Sequence, residues 1–327
     1  MMKGEILKLL KEADGYISGQ ELCERFGVSR TAVWKVMGQL KEEGYEIEAV
    51  RNKGYILKGT SDVLSKEELE SSIQTEWAGK NILYFDKTDS TNIRARVAGE
   101  SGAPHGTLAV AEIQDGGKGR RGRTWISPPG VGIWMSILLR PQINPISASM
   151  LTLVMALAVR KGILEATGIE TQIKWPNDLV LNRKKICGIL TEMGTELMEI
   201  QYVIPGTGIN VNQTEFAEEI RATATSLYLE TGKKYQRSQI IAKTMKALET
   251  YYAVFVKTED MSALMAEYNE GLVNLGKEVC VLDPSGEFRG VCEGINEKGG
   301  LLVRLPDGTQ TEVISGEVSV RGVYGYV

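Results

Sequence analysis

The sequence predicts an α+β protein, and three observations carry that reading. Helical periodicity and capping signals crowd the first 60 residues, strands and helices interleave without strict alternation through the middle, and short strands cut by turn signals fill about the last fifty. The chain has 327 residues, more than one ordinary core holds, with 43% hydrophobic and 24% charged, the balance of packed domains. The divisions expected are 1–60, 61–275 and 276–327.

In the first unit Ile6, Leu7, Leu9, Leu10 and Ala13 give one helix an apolar stripe. Ser18-Gly19-Gln20-Glu21 is a capping box opening a second helix, whose apolar face is Leu22, Cys23 and Phe26 and which Gly27 ends. Ser29 caps a third, in which Val33, Val36, Met37 and Leu40 point inward and Arg30, Thr31, Trp34 and Lys35 face out. After Gly44, Tyr45 to Val50 and Tyr55 to Leu57 flank the basic tip Arg51-Asn52-Lys53-Gly54. This is the pattern of a winged helix-turn-helix, with Ser18, Ser29, Arg30, Thr31, Trp34, Lys35, Arg51 and Lys53 as candidate DNA contacts. Residues 1 to 58 carry ten Lys and Arg against nine Asp and Glu, so the reading rests on placement and not on bulk basicity. A purely structural three-helix module stays open at this point.

Lys58 to Lys66 reads as a connector. Beyond it Thr107 to Gln114, Gly132 to Leu139, Ile186 to Met193 and Glu199 to Ile204 read as strands, and Ser147 to Ala166 and Ser238 to Val256 as helices. From Lys277 the turn signals Asp283-Pro284-Ser285-Gly286, Asn296-Glu297-Lys298-Gly299-Gly300 and Pro306-Asp307-Gly308 suggest a small β-barrel.

Composition excludes several functions. Charges scattered from Lys3 to Asp14 break any secretory signal, and the longest apolar stretch, Leu151 to Val159, falls short of the ~20 residues a membrane helix needs, so a cytoplasmic protein without membrane contact is expected. Four separated cysteines form no Cys-x-x-Cys pair, and a single histidine, His105, leaves no room for a histidine metal cluster or a Ser-His-Asp triad. No protein-built metal site is expected. A net charge of −4 confines any nucleic-acid contact to a local patch.

The richest segment is Gln114-Asp115-Gly116-Gly117-Lys118-Gly119-Arg120-Arg121-Gly122-Arg123-Thr124-Trp125, with four cations and four glycines between Gly116 and Arg123. It imitates both a dinucleotide fingerprint and a P-loop, but each needs a helix next, and Pro128-Pro129-Gly130 forbids one. What remains is close backbone approach and positive charge for phosphates or a carboxylate, on a loop whose crowded cations predict mobility until an anion arrives. Alternatively the segment is a solvated basic loop or a nucleic-acid contact. Lys174-Trp175-Pro176-Asn177-Asp178 is either a structural turn or a holder of phosphate and magnesium-bound water. Lys185 opens a strand in which Gly188 permits close ligand approach. In Gly206-Thr207-Gly208-Ile209-Asn210-Val211 the Asn210 amide could read an adenine edge or be satisfied by backbone. Asp89-Ser90-Thr91-Asn92 reads as a helix cap.

These segments, in this order and spacing, resemble the bacterial biotin protein ligases of the bifunctional type that also represses the biotin operon. The resemblance covers nearly the whole chain. It implies a central domain related to class II synthetase-like folds and a C-terminal SH3-like barrel. It implies that biotin and ATP, with Mg2+, give biotinyl-5′-AMP and pyrophosphate, and that biotin then passes to one lysine of a biotin carboxyl carrier domain. By position, Ser90, Thr91, Asn92, Gln114, Lys118, Gly119, Arg120, Lys185 and Gly188 would hold biotin, with Lys118, Arg120 and Lys185 catalytic. Arg121, Arg123, Trp125, Lys174, Asn177, Asp178, Asn210 and Arg321 would hold the adenylate, Trp125 packing on adenine. The family loop commonly reads Gly-Arg-Gly-Arg-Arg-Gly, and Lys118 replaces its first arginine, losing bidentate geometry. Operator DNA and a homodimer formed when adenylate is bound are the further partners implied, with the adenylate ordering the Gly116 to Arg123 loop.

The residue types agree with that chemistry, because a carboxylate attacking an α-phosphorus develops negative charge that fixed cations stabilise. Asp178 or another nearby carboxylate could assist deprotonation of the acceptor lysine. Competing readings are a non-enzymatic transcription factor sensing a small acid, and a related ligase using lipoate.

Overall fold

The computed structural model describes residues 2–60, 62–197, 199–283, 286–314, 319–322 and 325–327. Met1, Ser61 in the expected connector, and Pro284 and Ser285 in one of the turn signals lie outside the described residues.

The first unit contains α1 (Met2–Glu12), α2 (Gly19–Phe26), α3 (Arg30–Glu42), β1 (Tyr45–Val50) and β2 (Gly54–Thr60). Both expected caps form, Ser18 Oγ accepting from Glu21 N at 3.0 Å and Ser29 Oγ from Ala32 N at 3.2 Å. Ile6, Leu7, Leu10, Leu22, Val33, Val36, Met37 and Leu40 close a core of their own with Tyr45 and Ile47. Leu9, Ala13, Cys23 and Phe26 pack at its margin. The wing strand β2 runs past the expected end at Leu57, and Ile17 joins the hairpin by exchanging two 2.9 Å backbone bonds with Tyr55. A Cβ at Gly54, where φ is +112°, would lie 2.0 Å from the Ile17 carbonyl oxygen, so this crossing requires glycine.

At the end of the expected connector begins a helix that the sequence reading did not anticipate, α4 (Lys66–Ser72), capped by Ser65. Its polar sequence hides one buried carboxylate. Glu68 accepts from Lys11 Nζ (2.6 Å) and Tyr45 Oη (2.6 Å) of the first unit, and from Ser238 Oγ (2.8 Å) of the helix that backs the central sheet. Asp62 is tied in likewise, to the buried guanidinium of Arg237, which also grips Glu112.

The central elements are β3 (Ile82–Thr88), α5 (Thr91–Glu100), β4 (Thr107–Gln114), β5 (Gly132–Leu138), α6 (Leu151–Thr167), β6 (Gln172–Lys174), β7 (Asp178–Leu181), β8 (Lys184–Glu196), β9 (Glu199–Asn210), α7 (Glu218–Arg221), α8 (Leu227–Thr231), α9 (Arg237–Thr258) and α10 (Met265–Glu270). One mixed sheet runs in the order β3-β4-β5-β9-β8-β7-β6, parallel only between β3 and β4. Strand alternation divides its side chains. Ile133, Met135, Ile137 and Ile209 join the core under α6 and α9, while Ala109, Leu138 and Ile204 pack against Ala95 of α5 on the other face.

Strand β9 does not stop at Ile204. It continues through the glycines to Asn210, paired with β5 and β8. The expected helix from Ser147 begins instead as a 3-10 turn, Pro145–Met150, capped by Asn144. Pro145 to Thr167 has the length and composition of a membrane span, yet 72% of its most apolar window is buried inside the protein, against α9 and the sheet. Its apolarity is that of a core helix.

The last unit is β10 (Glu278–Asp283), β11 (Gly286–Ile295), β12 (Leu301–Arg304), β13 (Gln310–Val313) and β14 (Ser319–Gly322), antiparallel in the order β13-β12-β11-β10-β14. Among the described residues this sheet is open, with β13 and β14 at its edges. It is fastened to the central unit by Trp175 Nε1 donating to the Gly299 carbonyl (3.0 Å) and Ile295 N donating to Asn269 Oδ1 (2.8 Å).

Candidate functional site: two clefts with a shared wall

A narrow cleft of about 480 Å³ lies on the α5 face of the sheet, and a wider one of about 1680 Å³ opens beside it. Ser90, Thr91, Asn92, Gln114, Lys118, Gly119, Arg120, Lys185 and Gly188 all line the narrow cleft. Arg121, Arg123, Trp125, Lys174, Asn177, Asp178, Asn210 and Arg321 all line the wide one. Gly119, Arg120, Trp125, Asn177 and Lys185 belong to both.

The floor of the narrow cleft is a chain of polar groups set by strand register. Gln114 Oε1 accepts from Thr91 N (2.8 Å) and Thr91 Oγ1 (3.1 Å), and its amide nitrogen donates to Ser127 Oγ (2.9 Å). Ser136, buried in β5, donates to Asn92 Oδ1 (2.6 Å) and lies 2.7 Å from Thr91 Oγ1. Asn92 Nδ2 in turn donates to Glu192 Oε2 (2.7 Å). Opposite, a Cβ at Gly206 would sit 1.8 Å from Asn92 Oδ1, so β9 must be glycine there for Asn92 to enter. These groups are mutually bonded before any ligand arrives, which fixes donors and acceptors for a polar, neutral head group.

The expected cap at Ser90 differs in its chemistry. Ser90 stands at the N-cap position of α5 but makes no side-chain cap bond. Asp89 accepts the Ser90 N–H instead (2.6 Å), and Arg94 clamps its carboxylate at 2.9 and 2.6 Å, pulling its pKa down to about 2.

The Gly116 to Arg123 loop, expected as a cationic glycine-rich segment, carries backbone pairing. It is a hairpin continuing β4. Gln114 bridges Ser127, Trp125 N donates to Gly117 O (2.8 Å), Lys118 bridges Thr124, and Gly119 N donates to Arg123 O (2.7 Å). The 3-10 turn Arg120–Gly122 forms its tip. Backbone pairing offsets the repulsion among the cations, which point into different clefts, and Arg120 Nη1 is held by Asn177 Oδ1 at 2.8 Å.

At the shared wall, Lys185 Nζ lies 2.6 Å from Asp178 Oδ1 and 5.2 Å from the centroid of the Trp125 ring. Asp178 Oδ2 accepts a hydrogen bond from the Tyr326 hydroxyl. Lys174 Nζ sits 4.2 Å over the Tyr326 ring, and burial pulls its pKa down to about 8, with Lys185, Arg321 and Arg120 adding to the effect against the opposing Asp178. Burial pushes the Asp178 carboxyl up, but Lys185 and Lys174 outweigh it and hold it below its ordinary value. The two ammonium neighbours therefore favour the ionised form of Asp178.

Trp125 lies against the strands where Gly188 and Gly208 clear space, at distances of 2.8 and 2.5 Å from where their Cβ atoms would be. Asn210 is engaged internally, donating to the Thr225 carbonyl (3.1 Å) and accepting from Gln213 Nε2 (3.1 Å), as in the structural alternative for that residue. His105 packs with Trp77 and Tyr252 and accepts from Arg140 N, away from both clefts. All four cysteines are free thiols. Among the described residues no group of three His, Cys, Asp or Glu could hold a metal ion.

None of the candidate DNA contacts lines either of these two clefts. Arg30, Thr31, Trp34 and Lys35 are exposed on α3, Trp34 at 70%, and Arg51 and Lys53 are exposed at the wing tip. The Ser18 and Ser29 hydroxyls are spent on caps.

Sequence reasoning did not single out Ser127, Ser136 and Glu192, which bond to the floor of the narrow cleft, or Gln213 and Tyr326, which line the wide one. Ser136 was findable as the lone polar residue in Ile133-Trp134-Met135-Ser136-Ile137-Leu138. Tyr326 carries no local signal.

Comparison with known proteins agrees with this arrangement. The profile of the biotin/lipoate A/B protein ligase family matches residues 84–210, an HTH domain matches 4–56, and the biotin protein ligase C terminal domain matches 275–321. The bifunctional ligase/repressor BirA of Bacillus subtilis is 39% identical over 310 residues, 94% of this chain and 95% of the relative. The biotin–[acetyl-CoA-carboxylase] ligase of Paracoccus denitrificans is 32% identical, over 68% of this chain and 94% of its own length. Among solved structures, biotin protein ligase from Aquifex aeolicus in complex with biotin and ATP superposes with a TM-score of 0.66 at 35% identity, covering 74% of this chain and 99% of that one.

Proposed function

The chain belongs to the biotin/lipoate A/B protein ligase family, and from that premise we propose that its two clefts hold biotin and ATP side by side and join them as biotinyl-5′-AMP. It is a biotin protein ligase carrying a helix-turn-helix module. The observation that carries the mechanism is the shared wall, where Arg120 and Lys185 face both clefts.

In this reading the polar floor from Ser90 to Gln114 receives the ureido head of biotin, and the acid tail runs toward Lys185. The biotin carboxylate attacks the α-phosphorus, a C–O–P bond forms, and pyrophosphate leaves. Lys118, Arg120 and Lys185 stabilise the charge developing between acid and phosphate. Arg121, Arg123, Lys174 and Arg321 take the nucleotide phosphates, Asn177 holds Arg120, and Trp125 packs on adenine beside Asn210. Mg2+, brought with ATP, would lower the charge of the phosphates that Arg121, Arg123, Lys174 and Arg321 hold.

The adenylate then passes its acyl group to a lysine of a biotin carboxyl carrier domain, releasing AMP. Bound adenylate bridges both clefts, steadies the Gly116 to Arg123 hairpin, and acts as corepressor for a homodimer whose paired winged helices bind operator DNA. Both tasks belong to the cytoplasm. We read the division of labour as 1–60 for DNA, 61–275 for chemistry and 276–327 for an SH3-like barrel that closes the wide cleft, on a central unit of class II synthetase type.

Incubation with MgATP and either biotin or lipoate, followed by mass spectrometry of the small molecules, tests the reading. Biotinyl-5′-AMP is expected. An adenylate from lipoate alone would overturn the acid assignment, and no adenylate from either would reduce the central unit to a sensor.

A further inference from the structure

We propose that Tyr326 is a positioning residue for acid adenylation: its hydroxyl fixes Asp178, and through Asp178 fixes Lys185 at the wall between the clefts. This rests on the function proposed above and deepens it.

The place of Tyr326 is built. Val327 packs with Val180 of β7 and Val273, and its carbonyl accepts from Arg183 Nη2 at 2.9 Å. Gly322 and Gly325 form a bridge, and a Cβ at Gly322 would lie 2.3 Å from the Val327 carbonyl carbon, so the chain after β14 can fold back only because that residue is glycine. The return lays the Tyr326 ring under Lys174 and points its hydroxyl at Asp178, the first residue of β7.

Asp178 is then held on both sides, Oδ1 in an ion pair with Lys185 and Oδ2 by a hydrogen bond from Tyr326. Without the phenol, Oδ2 would lose its donor inside a site where two ammonium groups, Lys174 and Lys185, compete for one carboxylate. Asp178 could swing toward Lys174 and release Lys185 from the wall. The tyrosine therefore decides which lysine the carboxylate serves. Burial raises the Tyr326 phenol far above its ordinary value, so it stays protonated and remains a donor throughout the working range.

Tyr326→Phe keeps the ring, and with it the cation–π contact to Lys174, and removes only the hydroxyl. Biotin-dependent exchange of pyrophosphate into ATP should fall about tenfold in kcat, the weight of one hydrogen bond to a charged group, with KM for biotin within about twofold. The acid limb of its pH profile should move upward, because Asp178 loses a donor that favours its ionised form. Melting temperature should stay within about 2 °C of wild type. Tyr326→Leu, which also removes the ring, should additionally raise KM for ATP through Lys174.

A Tyr326→Phe enzyme with wild-type kcat and an unmoved pH profile would overturn the proposal, as would a loss of rate that tracks only a loss of melting temperature. If the wild type exchanges with lipoate and not with biotin, the acid assignment fails instead, and the same variants test Tyr326 on that reaction.

Discussion

In the function proposed above, the winged module and the paired clefts both present cations to phosphate, and they do so in opposite ways. Arg30, Lys35, Arg51 and Lys53 stand exposed on the surface of a small module, Arg30 bonded to Gln20 and Lys53 lying 5.7 Å from the Tyr16 ring centroid. Lys174, with 5% of its surface exposed, and Lys185, paired with Asp178, are held in place by neighbours, as Arg120 is by Asn177. Exposed cations meet a long polyanion, each contributing a salt-screened share, and small displacements matter little. Cleft cations meet one reacting phosphorus, where a group already in position pays no reorganisation and a misplaced one contributes almost nothing.

The largest effect that follows is Lys185→Ala. It should cost ~2.7–4 kcal/mol of transition-state stabilisation, a fall of about 10²–10³ in biotin-dependent pyrophosphate exchange, because the cation is lost from the reacting centre. Folding should survive, since Lys185 packs on the cleft surface and not in the core. A variant within about threefold of wild-type rate would show that the wall is not where the reaction occurs and would erase the contrast drawn here.

Substitution of the wing tip, Arg51→Ala with Lys53→Ala, should act differently. Operator affinity should fall, and the slope of log affinity against log salt should flatten by about 2, the counterions of two phosphate contacts. Pyrophosphate exchange is the internal control, because neither residue approaches a cleft. An unchanged salt slope in gel-shift titrations would place the phosphate contacts elsewhere on the module.

The same contrast explains what could be read in advance. The module is local: caps at Ser18 and Ser29 and one stripe of apolar residues specify three helices, so its exposed cations follow from periodicity. Cleft residues were visible only where glycine or charge crowds the chain, as in Gly116 to Arg123 and Lys174 to Asp178. Partners supplied by register or by chain return were not. Ser136 meets Asn92 because β5 pairs with β9, and Tyr326 meets Asp178 across most of the second half of the chain. Helix α4 escaped notice for another reason, since Lys66-Glu67-Glu68 reads as solvated until Lys11, Tyr45 and Ser238 are seen to converge on Glu68.

The smallest effect expected is also the one that separates buried from exposed cations without a change of partner. Lys174 has its pKa lowered to about 8 from an ordinary 10.5, chiefly by burial. Between those values the unfolded chain keeps a proton that the native protein has lost, so this residue makes stability rise with pH across that window. Nucleotide binding has the opposite sign, because the phosphates favour charged Lys174. KM for ATP should therefore climb severalfold as pH rises from about 7 to 9, on the order of the fall in charged fraction of a group titrating near 8. Operator binding, which does not pass through the wide cleft where Lys174 sits, should show no matching step. Lys174→Arg, which cannot titrate there, should bind ATP less well but with a flat profile. Parallel pH curves for wild type and Lys174→Arg would show that Lys174 does not meet the nucleotide, leaving Arg121, Arg123 and Arg321 to carry the phosphates alone.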